Sequence, residues 1–310
     1  MPWRGAVKVW LPIHNPEQVL GGLPEGVEVD VYDGSGDPPA SIDEVEFYVP
    51  PYTLAQPEVW EIIPRMRSLK VVQLLTAGFE HVRPYVPQGV TLCNARGLHD
   101  TATSELALTL MLAVLRGVPD FVRAQDAGEW RFSFQSGLAD KTVLIVGYGS
   151  IGAAIEQRLQ PFEVEVLRVA RSPRDGVAGY ESLPELLPRA DVVVLAVPLT
   201  EETRGMVDEK FLARMKDGAL LVNVARGPVV VTDALLTELA SGRLRAALDV
   251  TDPEPLPPDH PLWRAPNVLI SMHTGGATAA AFPRGVRLIR EQLHRYAAGQ
   301  PLINVITGEY

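Results

Sequence analysis

The stretch Val143-Leu144-Ile145-Val146-Gly147-Tyr148-Gly149-Ser150-Ile151-Gly152 decides how the rest of the chain is read. Four consecutive apolar residues predict a strand buried on both faces, and three glycines follow at the spacing G-x-G-x-x-G before a helix-capable segment at 153–159. In that setting the glycines have separate tasks: a tight turn, close backbone approach to a pyrophosphate, and close packing of helix on strand. The helix N-terminus faces the anion. A plain glycine-rich βα turn is the alternative, but strand before and helix after favour a dinucleotide site.

Outward from this motif, apolar runs at 142–146, 164–169, 192–197, 220–224, 246–250 and 268–271 predict about six strands with helical or turn-rich links. That count suits a doubly wound nucleotide-binding sheet. Upstream, β-branched runs at 7–10, 27–31, 45–49 and 71–75 alternate with helix-capable segments, the pattern of a first parallel α/β unit over residues 1–98. Between the two series, 105–115 is apolar on nearly every face, with Asp100, Thr101 and Thr103 as N-cap candidates and Gly117 and Pro119 as stop signals. Such a helix belongs between layers or in a subunit contact. A last helix at 281–298 ends at Gly299-Gln300-Pro301, and its tail can return to the first unit.

A chain of 310 residues is long enough for two cores, each of about 150 residues as a first division. With 28 Lys and Arg against 38 Asp and Glu, the net charge of −10 repels a phosphate backbone and no basic run offsets it, which argues against a nucleic-acid partner. Cys93 is the single cysteine, so neither an intrachain disulfide nor a cysteine-based zinc site is available, and a reducing cytoplasm is the simplest location. No signal peptide is apparent at 1–11, and the apolar stretches at 106–115 and 192–199 are too short to span a bilayer. No membrane role is expected.

The strand after the glycine motif ends in Val169-Ala170-Arg171-Ser172-Pro173-Arg174. An acid about 20 residues beyond the motif would accept hydrogen bonds from the adenosine 2′-hydroxyl. None is present. Arg171, Ser172 and Arg174 instead offer donors suited to a 2′-phosphate, so NADPH is expected over NADH, with NAD still possible. The plainer reading leaves both arginines as solvated surface charges.

Three further strands each end in a polar residue: Arg226 after 220–224, Glu254 in the Pro-rich turn after 246–250, and His273 after 268–271. Ligands of open parallel sheets bind beyond the carboxyl ends of the strands, where these residues can meet. Such a set supports reduction of a carbonyl beside a carboxylate. Arg226 supplies a planar fork for the carboxylate and polarises the carbonyl oxygen; His273 donates a proton to that oxygen; Glu254, bonded to the other ring nitrogen, orients the imidazole and favours its protonated form. Taken singly, each residue has a duller explanation, an ion-pair partner or a loop charge.

Four motifs in this order, the glycine loop, Val222 to Pro228, Ala247-Leu248-Asp249-Val250 with Glu254-Pro255-Leu256-Pro257, and His273-Thr274-Gly275-Gly276, resemble the D-isomer-specific 2-hydroxyacid dehydrogenases, particularly their glyoxylate/hydroxypyruvate reductase-like members. The resemblance covers nearly the whole chain. It implies two Rossmann-like or flavodoxin-like α/β domains with parallel sheets and a cleft between them: a substrate-binding domain of residues 1–98 plus 285–310, and a dinucleotide-binding domain of residues 99–284. It also implies catalytic roles for Arg226, Glu254 and His273. Asp249 then contacts the nicotinamide amide, and Ser150 and Ile151 lie over the pyrophosphate. Pro198, Thr203 and Val224 line the cofactor, and Thr76, Ala77 and Gly78 belong to a loop that receives the substrate carboxylate, although a simple turn would read the same.

Some positions depart from the family pattern. Met272 stands where a proline usually precedes the histidine, Thr251-Asp252 replaces a Phe-containing segment, and Asp252 is a rival to Glu254 as the histidine's partner, although the following Pro-Glu-Pro register favours Glu254. Formate dehydrogenases of the superfamily carry glutamine in place of the glutamate, which disfavours formate oxidation. An added regulatory domain of the kind many phosphoglycerate dehydrogenases have is not expected from the chain up to Tyr310. A homodimer through the nucleotide domains is implied, with 105–115 and Trp130-Arg131-Phe132-Ser133-Phe134 as contact candidates. The expectation is an NAD(P)H-dependent reductase of small 2-oxo acids giving D-2-hydroxy acids. Its rivals are a cofactor-sensing corepressor-like protein and another Rossmann enzyme that needs no hydride geometry.

Overall fold

The computed structural model describes residues 6–52 and 57–308. Residues 1–5, 53–56 and 309–310, on which the leader reading and the ends of the expected first domain partly rest, lie outside the described residues. The chain divides into two compact units: residues up to His99 together with those from Ala279 onward, and Asp100–Thr278. The helix Ala281–Ala297 groups whole with the first unit.

The first unit is built on a five-stranded parallel sheet in the order β2-β1-β3-β4-β5, from β1 (Val7–Leu11), β2 (Val27–Val31), β3 (Phe47–Tyr48), β4 (Val71–Gln73) and β5 (Thr91–Cys93). This is the flavodoxin order. Alternate residues feed two cores: Trp10, Tyr48, Val72 and Leu92 on one face, and Val9, Leu11, Phe47, Val71 and Cys93 on the other, where Ile289 and Leu293 of the last helix join them. Four strands are expected here and five are found. β5 has only three residues, too few to show a period, and its pairing with β4 gives it away only in three dimensions. The run at 45–49 contributes just two strand residues. The C-terminal tail pairs Val305 with Cys93 and donates from Ile306 N to Leu92 O at 2.9 Å.

The second unit holds a six-stranded parallel sheet ordered β11-β10-β9-β8-β6-β7, from β6 (Thr142–Val146), β7 (Glu165–Val169), β8 (Val192–Leu195), β9 (Leu220–Asn223), β10 (Arg245–Leu248) and β11 (Val268–Ile270). A single parallel bridge from Ala178 to Val169 leaves a remnant of a further strand outside β7. With it the order, counted within this unit, runs 3-2-1-4-5-6-7, the doubly wound arrangement whose crossover point lies beside the first strand.

Both faces of this sheet are dry, which explains its uninterrupted apolar runs. Val143, Ile145, Val194 and Val222 pack under Ala107, Met111, Ile155 and Leu159; Leu144, Val146, Val193 and Leu221 pack under Leu212, Leu235 and Leu239. The apolar helix is longer than expected. It begins at Asp100 and runs to Leu115, so Asp100, Thr101 and Thr103 are inside it rather than capping it. Its Ala107, Leu108, Leu110, Met111 and Leu115 are buried against the sheet, which accounts for most of its apolar character without a subunit contact. Among the described residues no helix is long and apolar enough to cross a membrane.

Candidate active site

The glycine loop joins β6 to the helix Ser150–Leu159, which starts three residues earlier than its apolar pattern suggests. Gly147 has φ 102, and a β-carbon there would sit 2.5 Å from the carbonyl carbon of Ala196. On Gly152 it would sit 2.4 Å from the Gly147 oxygen. These two glycines serve the close packing of loop, strand and helix. Gly149 differs: a β-carbon there would meet nothing within 4 Å, and no side chain caps this helix. The first-turn N–H groups, which have no partner within the helix, thus follow a residue with no side chain and open space where a β-carbon would be. A dinucleotide pyrophosphate fits that cradle. Ser150 Oγ donates to Asp100 Oδ1 at 3.1 Å, and Ile151 packs on the sheet core.

The loop after β7 carries Arg171, Ser172 and Arg174, all exposed. Arg174 turns onto the glycine loop, with Nη2 donating to the Tyr148 carbonyl at 2.5 Å and its guanidinium carbon 5.7 Å from the Tyr148 ring centre. The loop after β8 holds Pro198 and Thr203. Thr203 is buried, donates to Pro198 O at 2.6 Å and accepts from Thr200 N at 2.9 Å, so its hydroxyl closes this loop on itself. Val224 is buried in the core on the same face as the long helix.

β9, β10 and β11 are adjacent and in register, with Leu248 opposite both Asn223 and Ile270. Arg226, the Thr251–Glu254 turn and His273 thus leave from one edge. Asn223, a polar residue ending an apolar strand, fixes the first exit: its Oδ1 accepts from Ala225 N at 3.0 Å and its Nδ2 donates to Arg226 O at 3.1 Å. A polar residue that ends an otherwise apolar strand is a sequence signal for such a bracing role, since a buried polar group needs partners. Arg226 is half-buried, with Nη1 donating to Ala225 O at 2.7 Å. Beside it, a β-carbon on Gly227 would lie 1.8 Å from Thr251 O, so only glycine lets the two loops touch.

His273 Nδ1 is hydrogen-bonded to Glu254 Oε1. The rival Asp252 has an exposed side chain, and its carbonyl accepts from Thr232 Oγ1. Met272 and His273 both have left-handed backbone, φ 58 and 55. Proline, whose φ is fixed near −65°, could not stand at 272 in this conformation, which makes the departure from the family pattern intelligible. Two successive left-handed non-glycine residues are costly and need outside support. Asp249 supplies it. Buried at the end of β10, its carboxylate accepts from Ser271 Oγ and Thr274 N at 2.8 Å and from Gly275 N at 3.0 Å, while its carbonyl accepts from His273 N at 2.5 Å. The residue expected at the nicotinamide amide is therefore engaged in holding the histidine loop.

Thr76, Ala77 and Gly78 follow β4 in the other unit. Thr76 Oγ1 donates to Gly78 O at 2.7 Å, and Asn94 Nδ2 donates to Ala77 O at 2.8 Å, which braces the turn from β5. His99 bonds Leu75 O through Nε2 at 2.8 Å. Among the described residues no cluster of His, Cys, Asp and Glu can hold a metal ion.

Residues 108–275 match the model of the D-isomer specific 2-hydroxyacid dehydrogenase NAD-binding domain. A glyoxylate reductase of Thermofilum pendens is 35% identical over 266 residues, 80% of this chain and 75% of that protein. The human glyoxylate reductase/hydroxypyruvate reductase is 37% identical over 225 residues, 68% of this chain and 69% of that one. A crystal structure of a D-isomer specific 2-hydroxyacid dehydrogenase from Xanthobacter autotrophicus Py2, in complex with NADPH and MES, superposes with a TM-score of 0.81 at 29% identity and covers 98% of each chain. The chain belongs to the D-isomer specific 2-hydroxyacid dehydrogenases, NAD(P)-dependent oxidoreductases of small 2-oxo and 2-hydroxy acids.

Proposed function

We propose that this protein reduces small 2-oxo acids of the glyoxylate and hydroxypyruvate type, with NADPH preferred over NADH, to the corresponding 2-hydroxy acids, of D configuration where the product is chiral. The observation that carries the reading is the His273–Glu254 pair at the strand edge from which Arg226 also leaves. Gly147, Gly149, Gly152 and the first-turn amides at Ser150 and Ile151 would hold the pyrophosphate, with Pro198, Thr203 and Val224 along the cofactor and Arg171, Ser172 and Arg174 at the 2′-phosphate. When bound, the reduced nicotinamide supplies a hydride to the carbonyl carbon. Arg226 grips the substrate carboxylate and draws electron density toward the carbonyl oxygen. With Nδ1 committed to Glu254, the His273 ring presents Nε2, from which the proton passes to that oxygen; the ring regains a proton from solvent after product leaves. Thr76, Ala77 and Gly78 form the loop proposed to offer backbone N–H groups to a substrate carboxylate.

The protein is further read as a cytoplasmic homodimer. Trp130, Phe132 and Phe134 are 97%, 79% and 94% exposed, an apolar display that a partner subunit would cover. Sedimentation at micromolar concentration is expected to give a dimer, and monomer alone would contradict this.

The decisive measurement is loss of nicotinamide absorbance across glyoxylate, hydroxypyruvate, pyruvate and phenylpyruvate, with each cofactor. Turnover on the first two with higher kcat/KM for NADPH is expected; a clear NADH preference would refute the cofactor assignment, and no turnover would refute the activity. Arg226→Ala should cost on the order of several kcal/mol in kcat/KM. His273→Ala should lower kcat by about a hundredfold to ten-thousandfold while cofactor affinity changes little. An unchanged kcat would remove His273 as proton donor.

A further inference from the structure

Tyr148 occupies the first variable position of the glycine loop, where the turn itself needs no large side chain. Its hydroxyl donates to Glu156 Oε2 on the helix Ser150–Leu159. Arg168 of β7 grips the same carboxylate with two donors, Nε to Oε2 at 2.7 Å and Nη2 to Oε1. The Glu156 side chain is only 12% exposed and that of Arg168 33%, so the carboxylate end of this bidentate pair is the part shielded from competing water. The Arg168 hydrogen bond holds the Glu156 carboxyl below its ordinary range, and burial followed by the Glu156 contact raises the Tyr148 phenol. At neutral pH the acceptor is therefore charged and the donor keeps its proton.

The ring fixed in this way carries Arg174. The guanidinium of Arg174 is 5.7 Å from the ring centre and donates to the Tyr148 carbonyl at 2.5 Å, while that of Arg168 is 5.8 Å from the same ring. The backbone of Arg174 is also fixed. Arg174 and Val177 exchange N–H···O bonds of 3.0 and 2.8 Å around Asp175-Gly176, with Gly176 at φ 71, and the bridge from Ala178 to Val169 ties this turn to the end of β7. A loop arginine ordinarily samples many rotamers and loses that freedom on binding an anion; here the loss is already taken in folding.

We propose that Tyr148, pinned by Glu156 and Arg168, is a positioning residue that holds Arg174 ready for the 2′-phosphate of the cofactor's adenine-side ribose. It thereby sets how strongly the phosphorylated dinucleotide is preferred. This rests on the reading above that Arg174 faces that phosphate.

Calorimetric titration of NADP and of NAD into the intact wild-type protein and into Tyr148→Phe, Tyr148→Ala and Arg174→Ala tests it. Arg174→Ala is expected to lower the NADP-to-NAD affinity ratio by about ten- to a hundredfold, Tyr148→Ala by about tenfold, and Tyr148→Phe, which keeps the ring but loses its anchor, by about threefold. An unchanged ratio in both tyrosine variants beside a lowered one in Arg174→Ala overturns the proposal and leaves the cofactor reading standing. Equal weakening of both dinucleotides in Tyr148→Ala also overturns it, since a merely structural role would act that way. A wild-type ratio in Arg174→Ala removes the cofactor reading and the proposal together. If Tyr148→Ala does not fold, the ratio in Tyr148→Phe decides.

Discussion

Gly227 carries a heavy constraint for a residue without a side chain. A β-carbon would overlap a backbone oxygen, which cannot rotate away, so Gly227→Ala must displace either the Arg226 exit or the turn leading to Glu254. The expected result is a loss of about a hundredfold in kcat/KM with about 1–3 kcal/mol of destabilisation, read by kinetics and thermal melting; near-wild-type activity would show that the two loops need not touch. Cys93 is decided by burial in the opposite sense. It lies fully inside the first-unit core, and burial pushes its thiol up to about 11. Thiol reagents at about pH 8 should leave it unmodified until denaturant opens the fold. At this scale much was legible: polar residues after apolar strands stand out because each interrupts a buried run. Asn223 is just as visible in kind and lies within the Val222 to Pro228 motif, but the motif assigns it no role. The tasks of Thr203 and Asp249 were not legible, because a side chain's partner depends on how its loop turns after the strand.

The elements around the glycine loop are joined by charge as well as by packing. Arg168 links β7 to the helix bearing Glu156, across a spacing of twelve residues that no periodicity marks. Because the Glu156 carboxyl sits below its ordinary value of 4.5, its ion pair contributes stability at and above neutral pH, and that contribution is lost as pH falls through the lowered value. Glu156→Gln should therefore melt about 2–4 °C lower at neutral pH, corresponding to about 1 kcal/mol. The gap from wild type should narrow below the ordinary carboxylate range. A gap constant with pH would show that packing rather than charge is lost. Strands buried on both faces were easy to find, since each is a continuous apolar run. β5 was missed because three residues leave no pattern, and the long helix was started too late because Asp100 and Thr101 look like caps but continue into it.

For the whole molecule, chain continuity separates the two units. Both cores of the central sheet are completed by residues of the segment Asp100–Thr278 itself. The first unit draws Ile289, Leu293 and the Val305 pairing from the far end of the chain. A fragment of residues 100–278 is thus expected to fold cooperatively and bind a nicotinamide dinucleotide, while deletion of 279–310 should unfold the first unit and leave a melting transition for the second. Circular dichroism and dinucleotide titration would check both, and an unfolded 100–278 fragment would contradict the division. The sequence by itself determined the family and the dinucleotide-binding sheet, because apolar runs and glycine spacing are requirements of local backbone geometry and survive without knowledge of neighbours. Tertiary structure alone decided that Asp249 braces the histidine loop and that Arg174 lies on Tyr148. Those pairings depend on which strand ends stand side by side and how each loop turns beyond them, and residue spacing carries no record of either.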